Sequence, residues 1–254
     1  MALALTRLGA RVGLLDADMY GPSVPTMLGT MARPASIDGN SLEPVERFGL
    51  KMMSIGFLLE DPREAIVWRG PMLHGALMQF LKDVHWGKLD YLFLDLPPGT
   101  GDIPLTLSQK LQMTGAIIVT TPQDVALQDV YKSVSMCQKV HIPILGVVEN
   151  ESYFVCDQCS KRHEIFGKGG GRKVAEMADA PLLAQIPMDV ACREAGDAGT
   201  PVVMASPESS SGLALRDAAE ALAMRIASYH AERGGTVVSI DRSGGQNRHL
   251  PIVK

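Results

Sequence analysis

Aromatic residues are scarce. Phe, Trp and Tyr make up 5% of the 254 residues, too few for the stacking platforms that single-stranded nucleic acids use. An excess of basic charge is lacking as well: 24 Lys and Arg stand against 28 Asp and Glu, a net charge of −4. That balance gives no electrostatic footprint for a nucleic-acid partner. No apolar run approaches the roughly 20 residues needed to cross a bilayer. Four cysteines, only two of them close in sequence, make no disulfide framework, so a reducing compartment is expected. The opening MALALTRLGARVGLLDAD is not read as a signal peptide: Arg7 and Arg11 interrupt it, no small-residue cleavage site follows, and it runs into a strand. What remains, 46% hydrophobic and 20% charged residues, is the composition of a soluble globular protein with a full core. The length suits one large α/β domain.

Short apolar runs alternate with helical stretches, the pattern of a parallel sheet covered on both faces. Strands are predicted over 11–16, 91–95, 115–120, 143–149 and 182–186, and helices over 75–84, 124–140, 171–178 and 211–231. The last helix carries Leu213, Ala214, Ala218, Leu222 and Ile226 at helical spacing, with mixed charge elsewhere, as a packing helix does. A single domain is expected over 1–231. Residues 232–254, polar and Gly-rich, read as a flexible tail.

In open α/β sheets ligands bind at the carboxyl ends of strands, and two of those ends are acidic. One reads Leu14-Leu15-Asp16-Ala17-Asp18-Met19-Tyr20-Gly21-Pro22-Ser23, the other Leu94-Asp95-Leu96-Pro97-Pro98-Gly99-Thr100-Gly101-Asp102. An apolar strand ending in Asp before a Gly-rich turn suits a carboxylate that holds a metal-bound water beside a phosphate. Mg²⁺ favours one or two carboxylates together with phosphates and waters. A lone strand-end Asp more often just caps a turn; two such clusters together favour the functional reading.

These residues carry a resemblance. LLDADMYGPSVP, VWRGPM, LDYLFLDLPPGTGD, TTPQDVALQDV and the C-x-x-C region resemble the Mrp/ApbC iron–sulfur cluster carriers. Those belong to the deviant-Walker ATPases, with MinD-like and ParA-like proteins, and the likeness runs from about Leu3 to His230. It implies a doubly wound, mostly parallel α/β sheet of the P-loop NTPase type. It also implies that Asp18 is the switch I aspartate that activates water, preceded by Asp16, and that Asp95 is the Walker B residue bound to Mg²⁺ through water. Gly99 and Gly101 then belong to switch II, and Asn150 reads the adenine edge. Trp68 and Arg69 fall in a shared segment, where contact with nucleotide and an interface pair explain them equally well. His74, His85 and His141 are dispersed and receive no role.

The defining element of that family, a G-x-x-x-x-G-K-[ST] loop, occurs nowhere in the sequence. Met1–Leu5 read as the second half of the helix that follows such a loop, so the expectation is a chain truncated ahead of its first strand and Walker A segment. The nearest imitation, Gly167-Lys168-Gly169-Gly170-Gly171-Arg172-Lys173, lacks a Ser or Thr after its second Lys and reads as a loop feeding a helix. A missing central strand would leave neighbours unpaired, and no replacement is evident in the sequence. Without the ring of backbone N–H groups and the Lys around the phosphates, the chain as given is expected to bind ATP weakly or not at all. Its standing as an ATPase is left open.

The sharpest chemistry lies at Cys156-Asp157-Gln158-Cys159. Two thiolates at this spacing grip one soft metal centre and supply two of four ligands. On spacing alone, zinc (with His163 as a third ligand) and iron–sulfur rank about equal. A two-fold homodimer supplies four thiolates for a shared [4Fe–4S] cluster, and the resemblance favours that arrangement, with ATP and Mg²⁺ driving transfer to apoproteins in the intact protein. Two rivals stand beside it: a non-catalytic zinc-stabilised interaction module and a MinD/ParA-like positioning ATPase. A thioredoxin-like pair is disfavoured because polar residues and a predicted hairpin surround the cysteines. Cys137 and Cys192 read as structural. No nucleic-acid or membrane partner is expected. The location expected is cytoplasmic, or the mitochondrial matrix if a presequence lies upstream.

Overall fold

All five predicted strands form, within one or two residues of their expected bounds. The structure, a computed structural model, describes residues 1–18, 21–36, 39, 41–58, 70–99, 105, 107, 110–232 and 252–253, with the backbone alone for 70–74 and 252–253. In chain order the elements are α1 (Ala2–Arg7), β1 (Val12–Asp16), α2 (Val24–Met27), β2 (Val45–Arg47), β3 (Leu50–Ser54), a 3₁₀ turn (Ile55–Leu58), α3 (Gly70–Asp83), β4 (Tyr91–Asp95) and β5 (Ala116–Thr120). Then follow α4 (Asp124–Lys139), β6 (Ile144–Glu149), β7 (Phe154–Val155), β8 (Arg162–His163), α5 (Gly170–Ala178), β9 (Leu182–Gln185), α6 (Val190–Asp197), α7 (Val202–Ala205), α8 (Ser210–Glu232) and β10 (Ile252–Val253).

The strands make two mostly parallel sheets, ordered β10-β4-β1-β3-β2 and β5-β6-β9, and a separate β7-β8 hairpin. Only β2 runs antiparallel to its neighbour in the first sheet. Strands buried on both faces need continuous apolar sequence. β4 supplies it with Leu92, Phe93 and Leu94, and β6 with Leu145, Val147 and Val148. One core cluster joins β1, β3 and β4 to residues of β5, β6 and α8, so the two sheets share an interior. α8 packs as its spacing predicts, burying Ala218, Leu222 and Ile226, with Ala219 added.

Two departures from the sequence reading matter. β3 was not anticipated, yet it lies beside β1 with Leu50, Met52 and Met53 fully buried. Methionine has little strand preference and fills whatever space packing leaves, so Leu-Lys-Met-Met-Ser gives no period to read. The second concerns the slot beside β4. Ile252 and Val253 pair there in parallel with Leu92 and Phe93, and β10 also touches β5. Two residues from the C-terminal stretch thus supply backbone partners for which the sequence suggested none.

Candidate functional site

The carboxyl ends of β1, β3 and β4 are brought level by their register: Asp16 pairs with Ser54 on one side and Asp95 on the other. Asp16 is 1% exposed. The Ser54 hydroxyl donates to its Oδ2 at 2.8 Å, and the Asp18 backbone N–H donates to its Oδ1 at 3.1 Å. The Gly56 N–H in turn donates to Ser54 Oγ at 3.0 Å, which ties in the turn after β3. Burial pushes the Asp16 carboxyl up to about 6; the hydrogen bonds from Ser54 and Asp18 oppose that rise, and the neighbouring Asp95 and Asp18 charges add to it. With both oxygens engaged inside the protein, Asp16 shapes the turn that presents Asp18.

Asp18 and Asp95 are half-buried at the same edge. The Ala17 N–H donates to the Asp95 carbonyl at 2.8 Å, so the two acidic turns are joined by backbone as well as by strand pairing. Gly99 has φ +95°, which favours glycine, and open space where a Cβ would stand. Gly101, Trp68 and Arg69 lie outside the described residues. Asn150 is half-buried at the end of β6, in the second sheet, and its N–H donates to the Thr120 carbonyl at 2.7 Å.

The Gly-rich loop before α5 is not a phosphate cradle in this structure. Its Gly171 N–H donates to Glu149 Oε2 at 2.5 Å, so the start of the helix is met by an internal carboxylate. A Cβ on Gly170 would fall 2.5 Å from the Pro122 carbonyl oxygen, which makes this loop a packing surface for the turn after β5. Ser54 and Glu149 are the residues the sequence reading missed. A strand-end serine gives no signal of its own, and Glu149 was visible only as the neighbour of Asn150.

The cysteine pair sits in the predicted hairpin. Phe154 pairs with His163 and Val155 with Arg162, and the Arg162 guanidinium lies 3.7 Å from the centre of the Tyr153 ring. The turn between the strands is closed by Cys156 N–H donating to the Lys161 carbonyl at 3.0 Å and Ser160 N–H donating to the Cys156 carbonyl at 2.8 Å. Cys156 is half-exposed, Cys159 is exposed, and neither forms a disulfide. Backbone N–H groups of Cys159, and then of Gln158, bond the Cys156 sulfur and hold its thiol below the usual value. A turn that aims amides at sulfur favours thiolate, the form that binds metal. Among the described residues, no three His, Cys, Asp or Glu side chains gather into a metal-binding group, so His163 does not complete a site with the two cysteines. Cys137 is buried on α4, and Cys192 is half-buried with its thiol raised by burial, as structural cysteines are.

A mostly parallel α/β sheet with acidic strand ends, carrying an exposed dithiol hairpin, defines the class: a protein of the P-loop-NTPase fold type. Comparison with known proteins makes this specific. The chain belongs to the family described as ParA, NUBPL iron-transfer P-loop NTPase, whose model matches residues 1–223. An iron–sulfur cluster carrier protein from Deinococcus radiodurans is 52% identical over 227 residues, covering 89% of this chain; the chain spans 64% of that protein's length. Among solved structures, a nucleotide-binding protein from Archaeoglobus fulgidus in complex with ADP, with cobalt found, superposes with a TM-score of 0.67 at 39% identity, covering 78% of this chain and 77% of its own. The cell division ATPase MinD of Pyrococcus furiosus shares the fold, with a TM-score of 0.61 at 22% identity, covering 88% of this chain and 90% of its own.

Proposed function

We propose that the protein is an iron–sulfur cluster carrier. Two copies contribute Cys156 and Cys159 each to a shared [4Fe–4S] cluster, which is then handed to apoproteins. The observation that carries this reading is the exposed knuckle itself. It offers two sulfur ligands and no third within the described chain, so a four-ligand centre is completed by a second copy. Exposure suits cargo that must leave. Relatives named as cluster carriers support the assignment.

Nucleotide binding is the second half of the proposal. In this reading Asp18 and Asp95 hold water and Mg²⁺ against phosphates, Asp16 fixes the turn before Asp18, Gly99 and Gly101 are assigned to the loop that senses the phosphate, and Asn150 is assigned to the base. The phosphate-binding loop of the family has no counterpart in the sequence given, so this chain alone is expected to bind ATP weakly. Tight Mg²⁺-dependent ATP binding would refute that. The proposed setting is the cytoplasm; no helix of the described residues is long and apolar enough to cross a membrane.

Anaerobic reconstitution with iron and sulfide tests the carrier reading. About four irons per pair of chains, lost in Cys156→Ala, support it. One tightly held zinc with no iron uptake sinks it in favour of a zinc-stabilised module.

A further inference from the structure

We propose that Glu149 is a positioning residue that fixes the cysteine hairpin to the nucleotide end of the sheet. The inference rests on the reading of Cys156 and Cys159 as the cluster ligands. Glu149 is the last residue of β6 and 0% exposed. Its Oε1 accepts from Ser152 Oγ at 2.5 Å and from Gln185 Nε2 at 2.7 Å, and its Oε2 accepts from Gly171 N–H at 2.5 Å. All three donors are neutral. A buried carboxylate held this way joins four pieces of chain: the end of β6, the loop leading to the hairpin, the start of α5 and the end of β9.

The bond to Ser152 is the one that reaches the cysteines. Between Glu149 and the hairpin the chain must turn sharply, and it does so through Glu151 at φ +51°, an uncommon conformation for a residue with a side chain. The Glu149–Ser152 contact closes that turn. Beyond it, Ser152 N–H donates to the Ile186 carbonyl at 2.9 Å and Met188 N–H to the Tyr153 carbonyl at 2.7 Å, which carries the restraint to the root of β7. Gly171 permits the arrangement, since a Cβ there would stand 2.7 Å from the Glu149 Cβ. On the other side, Asn150 follows directly in sequence. A small rotation at this root would be magnified at the cysteines, which have to meet a second pair across a two-fold axis.

Backbone hydrogen exchange on the full chain, together with iron release from the reconstituted protein to a ferrous chelator, tests this. Ser152→Ala cuts only the arm to the hairpin and leaves the Gly171 and Gln185 bonds in place. It is expected to speed exchange of the amides in 153–163 about tenfold, to leave β6 and β9 protected, and to speed iron loss several-fold. Glu149→Ala should do the same more strongly. Glu149→Gln should restore near wild-type behaviour, because its amide oxygen can still accept from Gly171 while the Ser152 hydroxyl turns to accept and the Gln185 amide flips to present its oxygen to the new N–H. Unchanged hairpin exchange in Ser152→Ala overturns the proposal, as does unchanged iron release from a protein whose hairpin has loosened. Should Glu149→Ala not fold, Ser152→Ala decides alone. A wild-type chain that takes up no iron defeats the carrier reading, and the exchange data still decide whether Glu149 holds the hairpin.

Discussion

The Ser54 hydroxyl donates to Asp16 Oδ2 at 2.8 Å, between strand ends that are both buried. Through this contact β3, a strand made largely of methionine and leucine, braces the acidic turn that ends β1. Asp16 also accepts the Asp18 N–H, so the orientation of Asp18 depends on a serine that lies 38 residues beyond Asp16 in the chain.

Burial of Asp16 sets a pH dependence. Its carboxyl lies at about 6 in the folded protein against 3.8 unfolded, so the folded state holds the proton more tightly. Its contribution to stability is complete below 3.8, falls as pH rises through about 6, and is flat above. Asp16→Asn, with the amide donating to Ser54 and its oxygen accepting from Asp18, should remove that slope. At pH 7 in Mg²⁺-free buffer it is expected to stabilise the fold by on the order of 2 kcal/mol. Urea titrations across pH 4 to 8 would check it; a parallel slope in variant and parent would refute the assignment.

Asp189 should act with the opposite sign. Partial burial raises its pKa, but hydrogen bonds from the backbone and hydroxyl of Ser211, the Ala191 N–H and the Ser210 hydroxyl win, and the net shift is downward. It caps the start of α6 and grips the first turn of α8. Its contribution is present above the unfolded carboxylate range and lost as pH falls. Asp189→Ala should cost about 1 kcal/mol or more at neutral pH and little at pH 2, as read by chemical denaturation at the two values.

Cys156→Ala and Cys159→Ala should each abolish iron retention, since either leaves a two-fold site with two of its four sulfurs. Cys137→Ala and Cys192→Ser, which alter a buried and a half-buried thiol away from the hairpin, should keep full iron content. Iron and sulfide analysis after desalting separates the two groups. Iron loss in all four would mean that the variants unfold rather than lose ligands.

Gly170→Ala tests whether the Gly-rich loop serves packing. The added methyl would sit 2.5 Å from the Pro122 carbonyl oxygen and 2.7 Å from its Cα, backbone that cannot swing aside. A loss of about 1–3 kcal/mol is expected. Gly167→Ala, with open space around it but φ +85°, should cost less, about 1 kcal/mol. Equal thermal shifts for the two would contradict the packing account.

Much of the fold was legible because its central strands, β1, β4 and β6, are buried on both faces. Runs such as Tyr91–Asp95 and Ile144–Glu149 are free of charge up to a final carboxylate, which marks where each strand ends. The ordered acidic motifs and the C-x-x-C spacing carried the resemblance to the family, because each is a run of neighbouring residues that can be read without knowing which strands meet. What the sequence could not tell is which distant residues support them. Ser54 lies in a strand with no readable period, Glu149 next to a more conspicuous Asn150, and the partners Ser152, Gly171 and Gln185 are ordinary on their own. Their meeting is decided by strand register and close backbone approach, which exist only once the sheet is assembled. The same holds for Ile252 and Val253, which pair with β4 because unsatisfied strand edges take whatever backbone reaches them. Local chemistry is written along the chain, whereas the hydrogen bonds that hold it in place depend on contacts between residues far apart in it.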